Sequence, residues 1–253
     1  EEAVRRIASF SPQALSMTVW AFAKAGHRSR RLFHSAAEAA VAAFPDFSPQ
    51  SLSMTVWAFA KAGHSPPPRL FDKVEEAVLK DLPGLEQRVL STVLWAFAKV
   101  GRSAPRLFDA AEEAVMRDFG CFKPQGVAMI LWAFATAKHS APLLFEKAEE
   151  AVVEEDNIAG FKPQELTTTV LAFAMAGHSA PRLFDKAAAA VQKDIAACNP
   201  QALATTVRAF AMAGHRSTRL FDAVEKASVD SIDGFDPQAM SHTVWAFAKA
   251  EHG

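Results

Sequence analysis

The chain has 253 residues, half of them hydrophobic and 22% charged, with a formal net charge of −1 at pH 7; that composition excludes a disordered polymer, and no apolar run is long enough to span a bilayer, so direct membrane insertion is not expected. Only Cys121 and Cys198 are present, 77 positions apart, which rules out a disulfide scaffold or a zinc finger and suits a reducing compartment. The opening Glu1-Glu2-Ala3-Val4-Arg5-Arg6 is neither a secretory signal nor a transit peptide.

Internal periodicity decides the architecture. The phrase Trp-Ala-Phe-Ala has its first position at Trp20, Trp57, Trp95, Trp132, Leu171, Arg208 and Trp245, spaced 37 to 39 residues apart, and Ala-Phe-Ala follows each time. Residues 16–27 and 53–64 are identical. The units begin near residues 10, 47, 85, 122, 161, 198 and 235, and the reading is an all-α solenoid of about seven helix-turn-helix repeats forming a single array over 1–253.

Each repeat starts its first helix at a Pro-Gln pair, with Pro12, Pro49, Pro124, Pro163, Pro200 and Pro237 at the first helical position, where the missing N–H costs no hydrogen bond. Ser11, Ser48, Asn199 and Asp236 before the proline are capping residues. The third repeat has Leu85-Glu86-Gln87-Arg88 instead, which predicts the same helix with a less sharply defined start. Leu15, Val19, Phe22 and Ala23 make one apolar stripe, and Gly26, Gly63, Gly101, Gly177 and Gly214 end the helix, with Lys138 and Glu251 departing from the pattern. The second helix opens at Pro68, Pro105, Pro142 or Pro181 and buries a stripe such as Leu70, Phe71, Val74 and Val78. A hairpin of two such helices cannot bury its apolar face alone, so neighbouring repeats must complete the core, and most of the 20 Phe are structural. Glu1-Glu2-Ala3-Val4 matches the middle of a second helix and His252-Gly253 a link, so the array is expected to be cut mid-repeat at both ends.

Charge is segregated. First helices with their following links hold 18 Lys and Arg against 4 Asp and Glu, and the remainder holds 9 against 24. Two readings stay open: a solenoid with a basic and an acidic side, or charges that complement helix dipoles. A row at i, i+3 and i+7 varies between repeats while the core stripe does not. Its candidate contacts are Met17, Lys24, Met54, Lys61, Thr92, Lys99, Met129, Thr136, Thr168, Met175, Thr205, Arg208, His242 and Lys249. Lysine beside a flat or aromatic side chain offers a phosphate contact next to a stacking platform, and the interposed Trp suits packing between repeats. His27, His64, His139, His178, His215 and His252 recur once per repeat, with Arg102 in the same slot. Stacked helices about 8–10 Å apart cannot share one ion, so helix capping or a backbone-carbonyl contact is expected rather than a metal site. No nucleophile–base set or phosphate-binding glycine loop is present, so neither an enzyme nor a cofactor is expected.

Phe-Ser-Pro-Gln-x-Leu-Ser-Met-Thr-Val-Trp-Ala-Phe-Ala-Lys-Ala-Gly-His and Ala-Pro-Arg-Leu-Phe-Asp resemble the octotricopeptide repeat family over essentially the whole chain, with likeness also to heptatricopeptide and RAP-containing proteins. The resemblance implies an α-solenoid of chloroplasts or mitochondria that binds organellar single-stranded RNA, transcript or ribosomal, along its inner face to support maturation, stability or translation. Many family repeats carry Asn where this chain has Met17, Met54, Thr92, Met129, Thr168, Thr205 and His242, and methionine makes no directional hydrogen bond to a base edge. The alternative is a protein-binding scaffold in a large organellar complex, for which Met-rich faces are suited.

Overall fold

The computed structural model describes residues 6–64, 68–154 and 160–252. Among them are thirteen α-helices and no strand, the all-α helical-repeat fold that the period predicts. Contacts divide the chain into two compact units, Glu1–Cys121 and Phe122–Gly253. The first holds α1 (Pro12–Lys24), α2 (Arg30–Ala42), α3 (Pro49–Ala62), α4 (Pro68–Asp81), α5 (Gln87–Lys99) and α6 (Pro105–Arg117). The second holds α7 (Pro124–Ala137), α8 (Pro142–Glu154), α9 (Pro163–Ala176), α10 (Pro181–Lys193), α11 (Pro200–Ala213), α12 (Thr218–Asp230) and α13 (Pro237–His252).

In each unit the odd-numbered first helices pack on one another along much of their length, while the even-numbered second helices touch their neighbours more sparsely. Small residues permit the close approach: Ala58, Ala60, Ala96 and Ala98 flank the Phe of their helices and are buried. The joint between repeats is a ring pair, the second-helix Phe of one repeat against the first-helix Phe of the next. Phe33 meets Phe59 at 5.3 Å, Phe71 meets Phe97 at 4.8 Å, Phe145 meets Phe173 at 5.0 Å and Phe184 meets Phe210 at 4.9 Å between ring centroids. These rings are almost completely buried, so the Phe content is core, as the periodicity indicates. Phe22, with no such partner among the described residues, is only half-buried.

The helix ends follow local chemistry. Ser11 Oγ accepts a hydrogen bond from Ala14 N–H at 3.3 Å, Ser48 Oγ from Ser51 N–H at 3.2 Å, and Asn199 Oδ1 from Ala202 N–H at 2.8 Å. The start of α5 at Gln87 has neither proline nor a side-chain cap, the weaker start predicted for repeat three. At the other end Gly63, Gly101, Gly177 and Gly214 all have positive φ, and the next residue donates its N–H to the Phe carbonyl five positions back, as His64 does to Phe59 at 3.3 Å.

Lys138 takes the same left-handed conformation, φ 54°, without being glycine. A side chain there costs about 1 kcal/mol or somewhat more. Lys138→Gly is therefore expected to stabilise the second unit by about 1 kcal/mol, read as a higher denaturation midpoint with an unchanged m-value.

Candidate nucleic-acid interface

The i, i+3, i+7 row of the first helices reaches the surface in both units. Met17, Lys24, Lys61, Lys99 and Lys249 are exposed. Met54, Thr92, Met129, Thr136, Thr168, Met175, Thr205, Arg208 and His242 are half-buried. The geometry gives these positions different chemistry.

In the first unit the indoles form a ladder. Trp20 and Trp57, and then Trp57 and Trp95, lie 6.4 Å apart between centroids, tilted by 35° and 29°. This is direct ring contact across the helix seam, so the Trp has the packing role its position suggests while keeping an open edge: Trp20 is 38% exposed. Lys24 sits over the Trp20 ring at 5.8 Å, and in the second unit Lys249 sits over Trp245 at 5.1 Å. The side chains four residues apart thus hold an ammonium beside an aromatic surface.

The threonines are less free to read a base than their exposure implies. Thr92 Oγ1 donates to the Arg88 carbonyl at 2.7 Å, Thr168 Oγ1 to Gln164 at 2.8 Å and Thr205 Oγ1 to Gln201 at 2.6 Å. Each hydroxyl proton is committed to its own helix, which leaves acceptor capacity alone for a ligand. Thr136 Oγ1 is closed off from solvent and has no hydrogen-bond partner, so its oxygen faces inward. Burial first, then the Arg208 guanidinium, lowers the His242 pKa, with Asp236 opposing. His242 accordingly offers a neutral imidazole. Met175 and Met212 turn toward the edge where the links lie, each lining a recess of about 300 Å³ (the Met212 recess about 310 Å³) beside a histidine and a second-helix Phe.

In repeats one to six that edge comprises the last turn of the first helix, the first turn of the second helix and the link where it is described, and its own residues are basic; the carboxylates of Asp72 and Asp185 reach it from further along their second helices. In the first unit it carries Lys24, Arg28, Arg30, Arg31, Lys61, Arg69, Lys99, Arg102 and Arg106, and in the second Lys138, Arg182, Arg216 and Arg219. The corresponding stretches, 24–31, 61–69, 99–106, 136–143, 175–182 and 212–219, contain no Asp or Glu. Dipole complementarity explains only the first-helix lysines. Arg31, Arg69, Arg106, Arg182 and Arg219 occupy the first turn of a second helix, the positive end of the dipole, where a cation is unfavourable by about 0.3–1 kcal/mol.

Three of the recurrent histidines, His64, His178 and His215, act across the joint. Their N–H groups close the preceding helix as capping predicts, but the ring of His64 lies 4.6 Å from Phe33, that of His178 5.6 Å from Phe145 and that of His215 5.3 Å from Phe184. His215 Nε2 also meets Asp185 Oδ1 at 2.9 Å, and Arg102 pairs in the same way with Asp72. In these two repeats the Asp of Arg-Leu-Phe-Asp reaches the His or Arg of the next repeat, thirty residues on, a contact that no local spacing reveals. His252's side chain lies outside the described residues. Among the described residues no group of three or more His, Cys, Asp and Glu could hold a metal ion, and no helix is long and apolar enough to cross a membrane.

A family model described as RNA-editing substrate-binding complex 6 protein matches residues 84–251. No curated protein matches the chain.

Proposed function

The chain belongs to the RNA-editing substrate-binding complex 6 protein family, and on that premise we propose that it is a non-catalytic helical-repeat subunit that holds single-stranded RNA against its first-helix face. The observation that carries this reading is the row of exposed lysines, Lys24, Lys61 and Lys99, one per repeat beside a continuous Trp ladder. Such a surface supplies phosphate contacts and sequence-tolerant stacking. Base-by-base reading of the octotricopeptide kind would fall to the repeats with Thr or His in the row. The spent hydroxyl protons of Thr92, Thr168 and Thr205 favour ligand groups that donate. The likeness to octotricopeptide repeats adds an organellar setting, chloroplast or mitochondrion, and a role in transcript maturation, stability or translation.

The test is fluorescence anisotropy with single-stranded RNA across a salt series. Reversing Lys24, Lys61 and Lys99 together to Glu is expected to weaken binding roughly tenfold or more at physiological salt and to make the log–log salt dependence shallower. Unchanged affinity sinks the reading. A second reading, a scaffold for protein subunits, is favoured by Met17, 55% exposed. It expects no RNA on the purified native protein and crosslinks from the Met17, Met54 and Met129 surface to a protein neighbour.

A further inference from the structure

We propose that the basic edge of the first unit is a phosphate track, and that the arginines before each Leu-Phe of its second helices, Arg31, Arg69 and Arg106, bind the phosphodiester backbone of single-stranded RNA. This rests on the RNA reading above and goes beyond it, because it places the backbone on a different set of residues from the first-helix row.

Four observations converge. The arginine recurs at an equivalent position in each repeat of the first unit, and again at Arg182 and Arg219 in the second, with Leu143 taking the slot in repeat four. Arg31, Arg69 and Arg106 are exposed. They stand at helix N-termini, where the dipole repels a cation, so helix stability does not account for them. The surrounding stretches contain no carboxylate; three residues after the arginine stand His34 in repeat one and, in repeats two and five, an Asp turned to the next repeat, Asp72 to Arg102 and Asp185 to His215. An arginine fork matches two phosphate oxygens at once and the N-terminal N–H groups beside it add to the positive potential, so the features unfavourable to the isolated helix all favour an anion. Lys24, Lys61 and Lys99, in or at the last turn of the first helices, lie in sequence between the Trp row and these links. A strand held by its phosphates at the edge would therefore turn its bases toward the ladder.

The experiment compares two variants that remove equal charge. One is Arg31→Gln, Arg69→Gln and Arg106→Gln together. The control is Arg6→Gln, Lys80→Gln and Arg117→Gln, exposed cations of the same unit away from the links and from the first-helix row. Fluorescence anisotropy with a single-stranded RNA of mixed sequence is measured over a salt series, with thermal melting in parallel. Expected for the edge variant are an affinity loss of roughly tenfold or more and a salt slope shallower by about two, since each single-strand phosphate contact contributes about 0.7 to the slope. Its melting temperature should hold or rise, because a cation leaves each helix N-terminus. The control should keep its slope. If the edge variant binds like wild type while reversal of Lys24, Lys61 and Lys99 weakens binding, the track is overturned and the RNA reading survives. Equal losses in edge variant and control also overturn it, since net charge alone would then be responsible. If the wild-type protein binds no RNA at all, both readings fall.

Discussion

Phe97→Ala should lower the stability of the first unit by about 3–5 kcal/mol, the cost of a deleted core Phe whose site cannot collapse. The Phe97 ring is fully buried and packs on Phe71 of the preceding repeat at 4.8 Å. Its neighbours along the helix, Ala96 and Ala98, are too small to move into the void and are themselves held in the seam between first helices. The loss is shared, because a repeat array holds its stability in joints between neighbours rather than within single repeats. Chemical denaturation followed by circular dichroism is expected to show a much reduced midpoint, or an early transition that uncouples α5 and α6 from α1 to α4. Phe22→Ala serves as the internal comparison: its equivalent ring is only half-buried, and the expected loss is below about 2 kcal/mol. Similar losses at both positions would mean that the ring pair is not what joins the repeats.

The contrast between Phe97 and Phe22 also marks how far the sequence carries. The period, the proline starts, the glycine stops and the apolar stripes are local patterns, and each repeat states them again, so helices and core were legible. The weak start at Gln87 was legible for the same reason. What the sequence did not disclose is which neighbour a polar side chain meets. Asp72 and Arg102 are thirty residues apart, and only the stacking of one second helix against the following link brings them together. The basic character of the first helices and links was visible as a count, but its concentration on the edge was not. That required knowing that the arginines occupy the positive end of their helices, beside the ends of the first helices. The row residues were found by spacing alone. The direction of the Thr136 oxygen and the commitment of the Thr92, Thr168 and Thr205 protons are properties of the folded helix.

The joint between the first two repeats departs from that rule, and its chemistry predicts a change of sign in pH dependence. Where repeat two has Asp72 and repeat five has Asp185, repeat one has His34, which is exposed and lies 3.6 Å from Glu38. His64, whose ring packs across the joint on Phe33, next to that position in the chain, is left with its Nε2 closed off from solvent and without a hydrogen-bond partner. Burial above all, and then the Arg30 and Arg28 guanidinium groups, hold its pKa below the ordinary imidazole value of 6.5. In the unfolded chain His64 takes up a proton as the pH falls through 6.5, while in the folded joint it resists until a lower pH. Between those two values the unfolded state binds more protons, so His64 makes the first unit lose stability as the pH falls. His34→Asp restores the acceptor found at the other joints. It gives up only an exposed pair of little worth, adds an acid to the early turns of α2, and supplies a partner to a shielded nitrogen, for an expected gain of about 1–2 kcal/mol. With a carboxylate beside it the imidazolium becomes the favoured form in the folded state. The His64 contribution is then present below pH 6.5 and fades as the pH rises through the new folded pKa. Urea denaturation of wild type and variant at pH 5.5 and pH 7.5 separates the two. The stability difference between variant and wild type should be larger at the lower pH, and a difference that shrinks on acidification would show that His64 does not answer to position 34.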